Sequence, residues 1–111
     1  MSNLTRQCFV EVKSITLVNK GIGYFPDART SRGVRHIREL IETKASGDQA
    51  AIVFIVQRPD VKFVKPNKKA DPEFTEALTL AKTKGVNLFA YRCRVDLSGV
   101  NLHEQIPVTI K

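Results

Sequence analysis

Residues 50–57 read AAIVFIVQ, apolar up to the final glutamine. A strand with one solvated face alternates polar and apolar residues, so this run predicts a central strand covered on both faces. A helical pattern lies on either side of it. Upstream, Ser31 to Ser46 carries Val34, Ile37, Leu40, Ile41 and Ala45 on one stripe, with Ser31 as the expected N-cap and Gly47 as the stop. Downstream, Asp71-Pro72 supplies an N-cap and a first-turn proline, Phe74, Ala77, Leu78 and Ala81 face inward, and Gly85 ends the helix. Farther out, 8–18 (CFVEVKSITLV) and 86–95 (VNLFAYRCRV) have the β-branched content of strands. A turn is expected at Ser98-Gly99, with short strands near 100–102 and 108–110. Segments 19–30 and 58–70, which hold the glycines and prolines, read as loops. The order strand, helix, strand, helix, strand predicts an α/β protein, a mixed central sheet flanked by two helices.

The length of 111 residues fits one domain with a modest core. With 42% hydrophobic and 26% charged residues the composition is globular rather than disordered. No apolar run approaches the ~18 residues of a membrane helix, and no signal-like segment follows Met1, so the cytoplasm is the expected location. Cys8 and Cys93 sit in apolar runs and read as inert buried thiols; with His36 and His103 they share no spacing that suits zinc. Eighteen Lys+Arg against eleven Asp+Glu give +7, which suits a polyanionic partner or simple solubility.

The placement of charge is more informative than its sum. Period two puts Glu11 and Lys13 on the same face of the first strand, beside Phe9 and Ile15. A carboxylate there can hold Mg²⁺, and a neighbouring ammonium can orient water and stabilise charge on a phosphate, which together would serve phosphodiester hydrolysis. Taken alone, the triplet more often marks an ion pair on a solvated face. Asp27 is a possible second carboxylate, although an Asp after Phe25-Pro26 is better read as bonding backbone amides in a turn. On the first helix Arg35–Glu39 and Arg38–Glu42 are spaced for pairing, whereas Arg32 sits unpaired in the first turn, opposing the helix dipole, where an anion would relieve it. His36 either faces phosphate beside Arg32 and Arg35 or is an ordinary surface histidine. Gln57 and Arg58 close the central strand, at the end where α/β sheets bind ligands.

Taken together these segments resemble the sugar fermentation stimulation protein A family, SfsA. The likeness is carried by Phe9-Val10-Glu11-Val12-Lys13-Ser14-Ile15-Thr16-Leu17, by Tyr24-Phe25-Pro26-Asp27-Ala28-Arg29-Thr30 and by Arg32-Gly33-Val34-Arg35-His36-Ile37-Arg38-Glu39-Leu40. Phe54-Ile55-Val56-Gln57-Arg58, Gly85 to Tyr91 and the closing Ile106-Pro107-Val108-Thr109-Ile110 follow in order. The resemblance implies a partial PD-(D/E)xK, restriction-endonuclease-like core, DNA binding without sequence specificity, and a regulatory link to sugar (maltose) metabolism. It carries the family's E-V-K motif onto Glu11 and Lys13, and its other motifs onto Phe25, Asp27, Thr30, Arg32, Gly33 and His36. Family members are longer, with an upstream OB-like domain and a strand bearing an S-R-x-D-F motif whose Asp completes the metal site. Only Met1 to Gln7 precede the E-V-K strand here, with no acidic residue among them. Residues 1–111 are therefore expected to form a single C-terminal nuclease-like domain without those first core strands.

Three functional readings follow. The first is a DNA-binding domain whose Arg29, Arg32, Arg35, His36, Gln57 and Arg58, with the lysines of 62–69, contact phosphates. The second is a Mg²⁺-dependent DNA or RNA nuclease, with Glu11 and Asp27 as metal ligands and Lys13 activating water. The third is an interaction domain with no nucleic-acid role.

Overall fold

The computed structural model of the chain describes residues 7–96 and 99–110. Along the chain the elements run β1 (Cys8–Ile15), β2 (Leu17–Asn19), β3 (Ile22–Phe25), α1 (Ser31–Ala45), β4 (Gln49–Val56), β5 (Phe63–Pro66), α2 (Pro72–Thr83), β6 (Asn87–Asp96) and β7 (Gly99–Ile106). β4 is central, as its apolar sequence requires. It pairs in parallel with β1 on one side and β6 on the other, and β6 pairs antiparallel with β7. The helices pack on one face of this mixed sheet, where Ile52, Phe54 and Val56 of β4 meet Val34, Ile37 and Leu40 of α1 and Phe74 and Leu78 of α2. The other face is not fully covered: Val53 and Ile55 keep partial exposure, and Val10 and Val12 of β1 are more than half exposed. The expectation of a strand buried on both sides therefore holds for the helix face and fails in part for the opposite one. Apolar residues at both parities cannot tell a buried second face from a half-open one.

Four boundaries depart from expectation, each for a local physical reason. The run 8–18 is two strands, because the chain leaves the large sheet after the buried Ile15 and enters a smaller one with order β2-β3-β5. The supposed loop 19–30 begins with a hairpin: Lys20 and Gly21 both have positive φ, 52° and 79°, as a two-residue turn of the I′ type demands. Gly23 faces the core, where a Cβ would lie 3.3 Å from Ile15 and 3.4 Å from Val64. The supposed loop 58–70 contains β5, which runs parallel to β3 and ends on Pro66. At the C-terminus β7 is longer than expected, and the short strand foreseen at 108–110 reduces to a bridge between Val64 and Val108. Ser98 of the expected turn lies outside the described residues.

Helix chemistry is also refined. The N-cap of α1 is Thr30, not Ser31: its Oγ1 accepts from the Gly33 N–H at 3.0 Å. Ala45 is exposed rather than part of the buried stripe, and Arg38 pairs with Glu73 of α2 at 3.2 Å rather than with Glu42. Arg35 and Glu39 form no ion pair among the described residues. Cys93 is buried as expected, but Cys8 is exposed on the edge strand.

Asp71 caps α2 as its sequence predicts, and it does more. Although only 1% exposed, its carboxylate accepts from the Phe74 N–H at 3.0 Å and from the Thr30 N–H at 2.8 Å. One buried anion thus serves the N-termini of both helices, satisfying two donors and favoured by both dipoles. Asp71→Ala strands these donors in the core and is expected to cost about 2–4 kcal/mol in urea unfolding, with Asp71→Asn costing less because an acceptor oxygen remains. Equal stability of Asp71→Ala and the parent would contradict the role given to this carboxylate.

Candidate functional site

Glu11 and Lys13 stand opposite Ile52 and Phe54 of β4, both buried on the helix face, so their side chains project over that face toward α1. There they meet His36. Lys13 Nζ lies 3.4 Å from Glu11 Oε2 and 3.3 Å from His36 Nδ1, while His36 Nδ1 is 3.6 Å from Glu11 Oε2. With the ammonium as donor, Nδ1 accepts, which leaves the Nε2–H of the ring as a second donor. Side-chain exposures are 14% for Lys13, 22% for His36 and 33% for Glu11, so the cluster is sheltered but open to solvent on one side. The triplet does form the ion pair that its bland reading expects, on a face that α1 partly covers rather than one fully open to solvent. His36, at the edge of the helix surface, touches this pair rather than standing apart from it.

The reason His36 arrives here is helical spacing. It precedes the buried Ile37 by one residue, at the margin of the apolar stripe, and Arg32 lies one turn before it on the same side. Arg32, Arg35 and the preceding Arg29 are exposed and have no ion pair or hydrogen-bonding side-chain partner among the described residues. The first turn of α1 contains no acidic residue. Thr30 satisfies the N–H groups of Gly33 and Val34, and those of Ser31 and Arg32 have no acceptor among the described residues. Although Asp71 already answers the helix dipole from the core side, two free amide donors and three guanidinium groups without counter-charge make the outer side of this end attractive to anions.

Gln57 and Arg58 emerge where β4 ends and border a depression with Ser14, Ile15, Thr16 and Ile55, at the carboxyl ends of two parallel strands. Arg58 is not a free cation. Its Nε and Nη2 donate to the two oxygens of Asp60 at 3.1 and 2.7 Å. These bonds raise the guanidinium pKa and hold the Asp60 carboxyl below its ordinary range. Asp27 lies exposed in the bend after the cis Phe25–Pro26 bond, and its side chain makes no hydrogen bond among the described residues, so the amide-bonding turn expected of it is not formed. No hydrogen bond or ion pair joins it to Glu11 among the described residues.

Among the described residues no group of three His, Cys, Asp or Glu side chains is gathered to hold a metal. Glu11 is the one carboxylate of the cluster and already faces the Lys13 ammonium, so the residues present do not fit a divalent cation by themselves. Sequence reasoning found Glu11 and Lys13 but missed their convergence on His36, which depends on where α1 docks. It also missed Asp60 as the partner of Arg58, although the Arg-Pro-Asp spacing was there to be read.

Residues 1–99 match the family described as "Sugar fermentation stimulation protein RE domain", and the chain belongs to that family, SfsA. The homolog of Caldanaerobacter subterraneus subsp. tengcongensis is 42% identical over 110 residues, covering 99% of this chain and 48% of the relative. That of Moorella thermoacetica is 47% identical over 104 residues, covering 94% and 44%. A solved structure of Pyrococcus furiosus SfsA in complex with Ca²⁺ is similar at a TM-score of 0.86 and 39% identity, over 92% of this chain and 45% of that one. The chain thus spans about half the length of the curated relatives it matches. The α/β fold expected from the sequence agrees with this likeness.

A double-mutant cycle on Glu11→Gln and Lys13→Met should give a coupling of about 0.5–1 kcal/mol in unfolding free energy, the range for a partly screened ion pair. Strict additivity of the two substitutions would remove the pair from this description.

Proposed function

We propose that this domain binds nucleic acid, most readily DNA, through its phosphate backbone and without reading base sequence. The observation that carries the reading is the pairing of a sheltered donor cluster, Lys13 and His36, with the first turn of α1 one turn away, whose arginines have no counter-charge among the described residues. Lys13 and the His36 ring would donate to one phosphate, and Arg29, Arg32 and Arg35 would meet its neighbours. Gln57 would add a polar contact at the end of β4. Glu11 holds the ammonium in place and limits the net charge of the cluster. The reading puts the domain in the cytoplasm and agrees with the regulatory role in sugar, or maltose, metabolism that the family resemblance implies. It favours phosphate contacts over base contacts because no element with a base-reading pattern stands beside the cluster.

Affinity for mixed-sequence duplex is expected to fall steeply with salt, with a log–log slope of about −3 to −4 for four neutralised phosphates. Arg32→Gln with Arg35→Gln should weaken binding alike on unrelated sequences. Asp60→Asn should strengthen it and steepen the slope by about one, since it releases Arg58. Affinity independent of salt, or confined to one sequence, would overturn the proposal.

A second reading, metal-dependent cleavage of DNA or RNA, is favoured by the Ca²⁺ bound to the Pyrococcus furiosus relative. Glu11 would be the ligand contributed by β1 and Lys13 the neighbouring cation, with Mg²⁺ as the natural ion. The described residues hold a single carboxylate there, and this reading needs Asp27 as a second ligand although no contact joins it to Glu11, which is why it ranks second. It predicts nicking of supercoiled plasmid with Mg²⁺ or Mn²⁺, and loss of nicking but not of binding in Lys13→Ala. Plasmid left intact by the protein with either ion eliminates it.

A further inference from the structure

The small sheet has a second face with a different character. In its register Leu17 stands opposite Tyr24, and Tyr24 opposite Lys65, so the three form a row across β2, β3 and β5. One row away, Ile22 stands opposite Phe63 on the same side. The alternate residues Val18, Gly23 and Val64 turn inward to the core. A sheet with one solvated face normally shows polar residues there. Here the outward positions of β3 and β5 are Ile22, Tyr24, Phe63 and Lys65, all half-buried, and Leu17 beside them is 38% exposed. Tyr24 and Leu17 border a groove of about 420 Å³ completed by Pro66, Lys65, Lys68 and Lys69. No acidic side chain lines it, and none of the three lysines has an ion pair or hydrogen-bond partner among the described residues.

We propose that this face is a platform for single-stranded polynucleotide, with bases stacking on Tyr24 and Phe63 and the intervening phosphates held by Lys65, Lys68 and Lys69. Aromatic faces on a sheet, beside cations without counter-charges, are what unpaired bases need: a π surface for each base and positive charge along the backbone. A duplex hides its bases in the stack and cannot use the aromatic rings, so the platform selects single strands where the α1 end does not. The proposal rests on the reading of this domain as a nucleic-acid binder and adds a second surface with its own polymer form.

The test is fluorescence anisotropy of the full chain with a short labelled oligothymidylate and, separately, a labelled mixed-sequence duplex. Tyr24→Leu should weaken oligothymidylate binding about five- to 160-fold, the range for loss of one stacked base, and leave duplex affinity within about twofold. Tyr24→Phe should keep most of the affinity. The triple Lys65→Gln, Lys68→Gln and Lys69→Gln should weaken single-strand binding even if Tyr24→Leu proves poorly folded by circular dichroism. Single-strand binding unchanged in the lysine triple, or lost in parallel with duplex binding, overturns the platform and leaves the α1 site standing. Failure of the parent protein to bind either polymer removes both.

Discussion

The buried carboxylate of Asp71 fixes the starting point of both helices at once. Every feature of the candidate site depends on where α1 begins and which of its faces meets the sheet. Thr30 donates its N–H to Asp71 and caps the helix with its hydroxyl, so the helix starts on a defined residue. Gly33 lies under this joint, where an added Cβ would come within 2.9 Å of Thr30 and 3.3 Å of Phe74. With the start and the packing of Ile37 and Leu40 fixed, the helical period delivers His36 to Lys13 and leaves Arg32 and Arg35 in solvent. The polar site is thus a consequence of apolar packing on one side and a capped, cation-rich terminus on the other.

Elements with strong local chemistry were legible from the residues alone. The Asp71-Pro72 start of α2 and the inward set Phe74, Ala77, Leu78 and Ala81 behave as their patterns require, and the apolar run at 50–56 is the central strand, although only its helix face is fully buried. The short strands were not legible, because β2, β3 and β5 draw their identity from pairing partners distant in the chain. Lys20-Gly21 is also a weak version of the Asn-Gly signal that marks such a hairpin. In the same way, Glu11 and Lys13 could be placed on one face from period two, while His36 could be brought to them only by the docking of a helix 23 residues away from Lys13. Side chains that meet across elements are beyond periodicity.

Two properties of the chain bear on each other. It spans about half the length of its curated SfsA relatives, and its large sheet presents β1 as an edge with Val10 and Val12 exposed. The carboxylate content of the cluster is equally partial, with Glu11 alone among the described residues. Phosphate binding needs only the donors gathered around Lys13, His36 and the start of α1, whereas cleavage needs ligands besides. This is the physical ground for ranking backbone binding ahead of hydrolysis.

The most direct measurement is a nuclear magnetic resonance titration with a mixed-sequence DNA duplex, following the Lys13 and His36 side chains and the Ser31 and Arg32 amides. The account predicts that these signals shift together, saturably, and return when salt is raised. Saturable binding that moves other signals and leaves these four residues unchanged would contradict it.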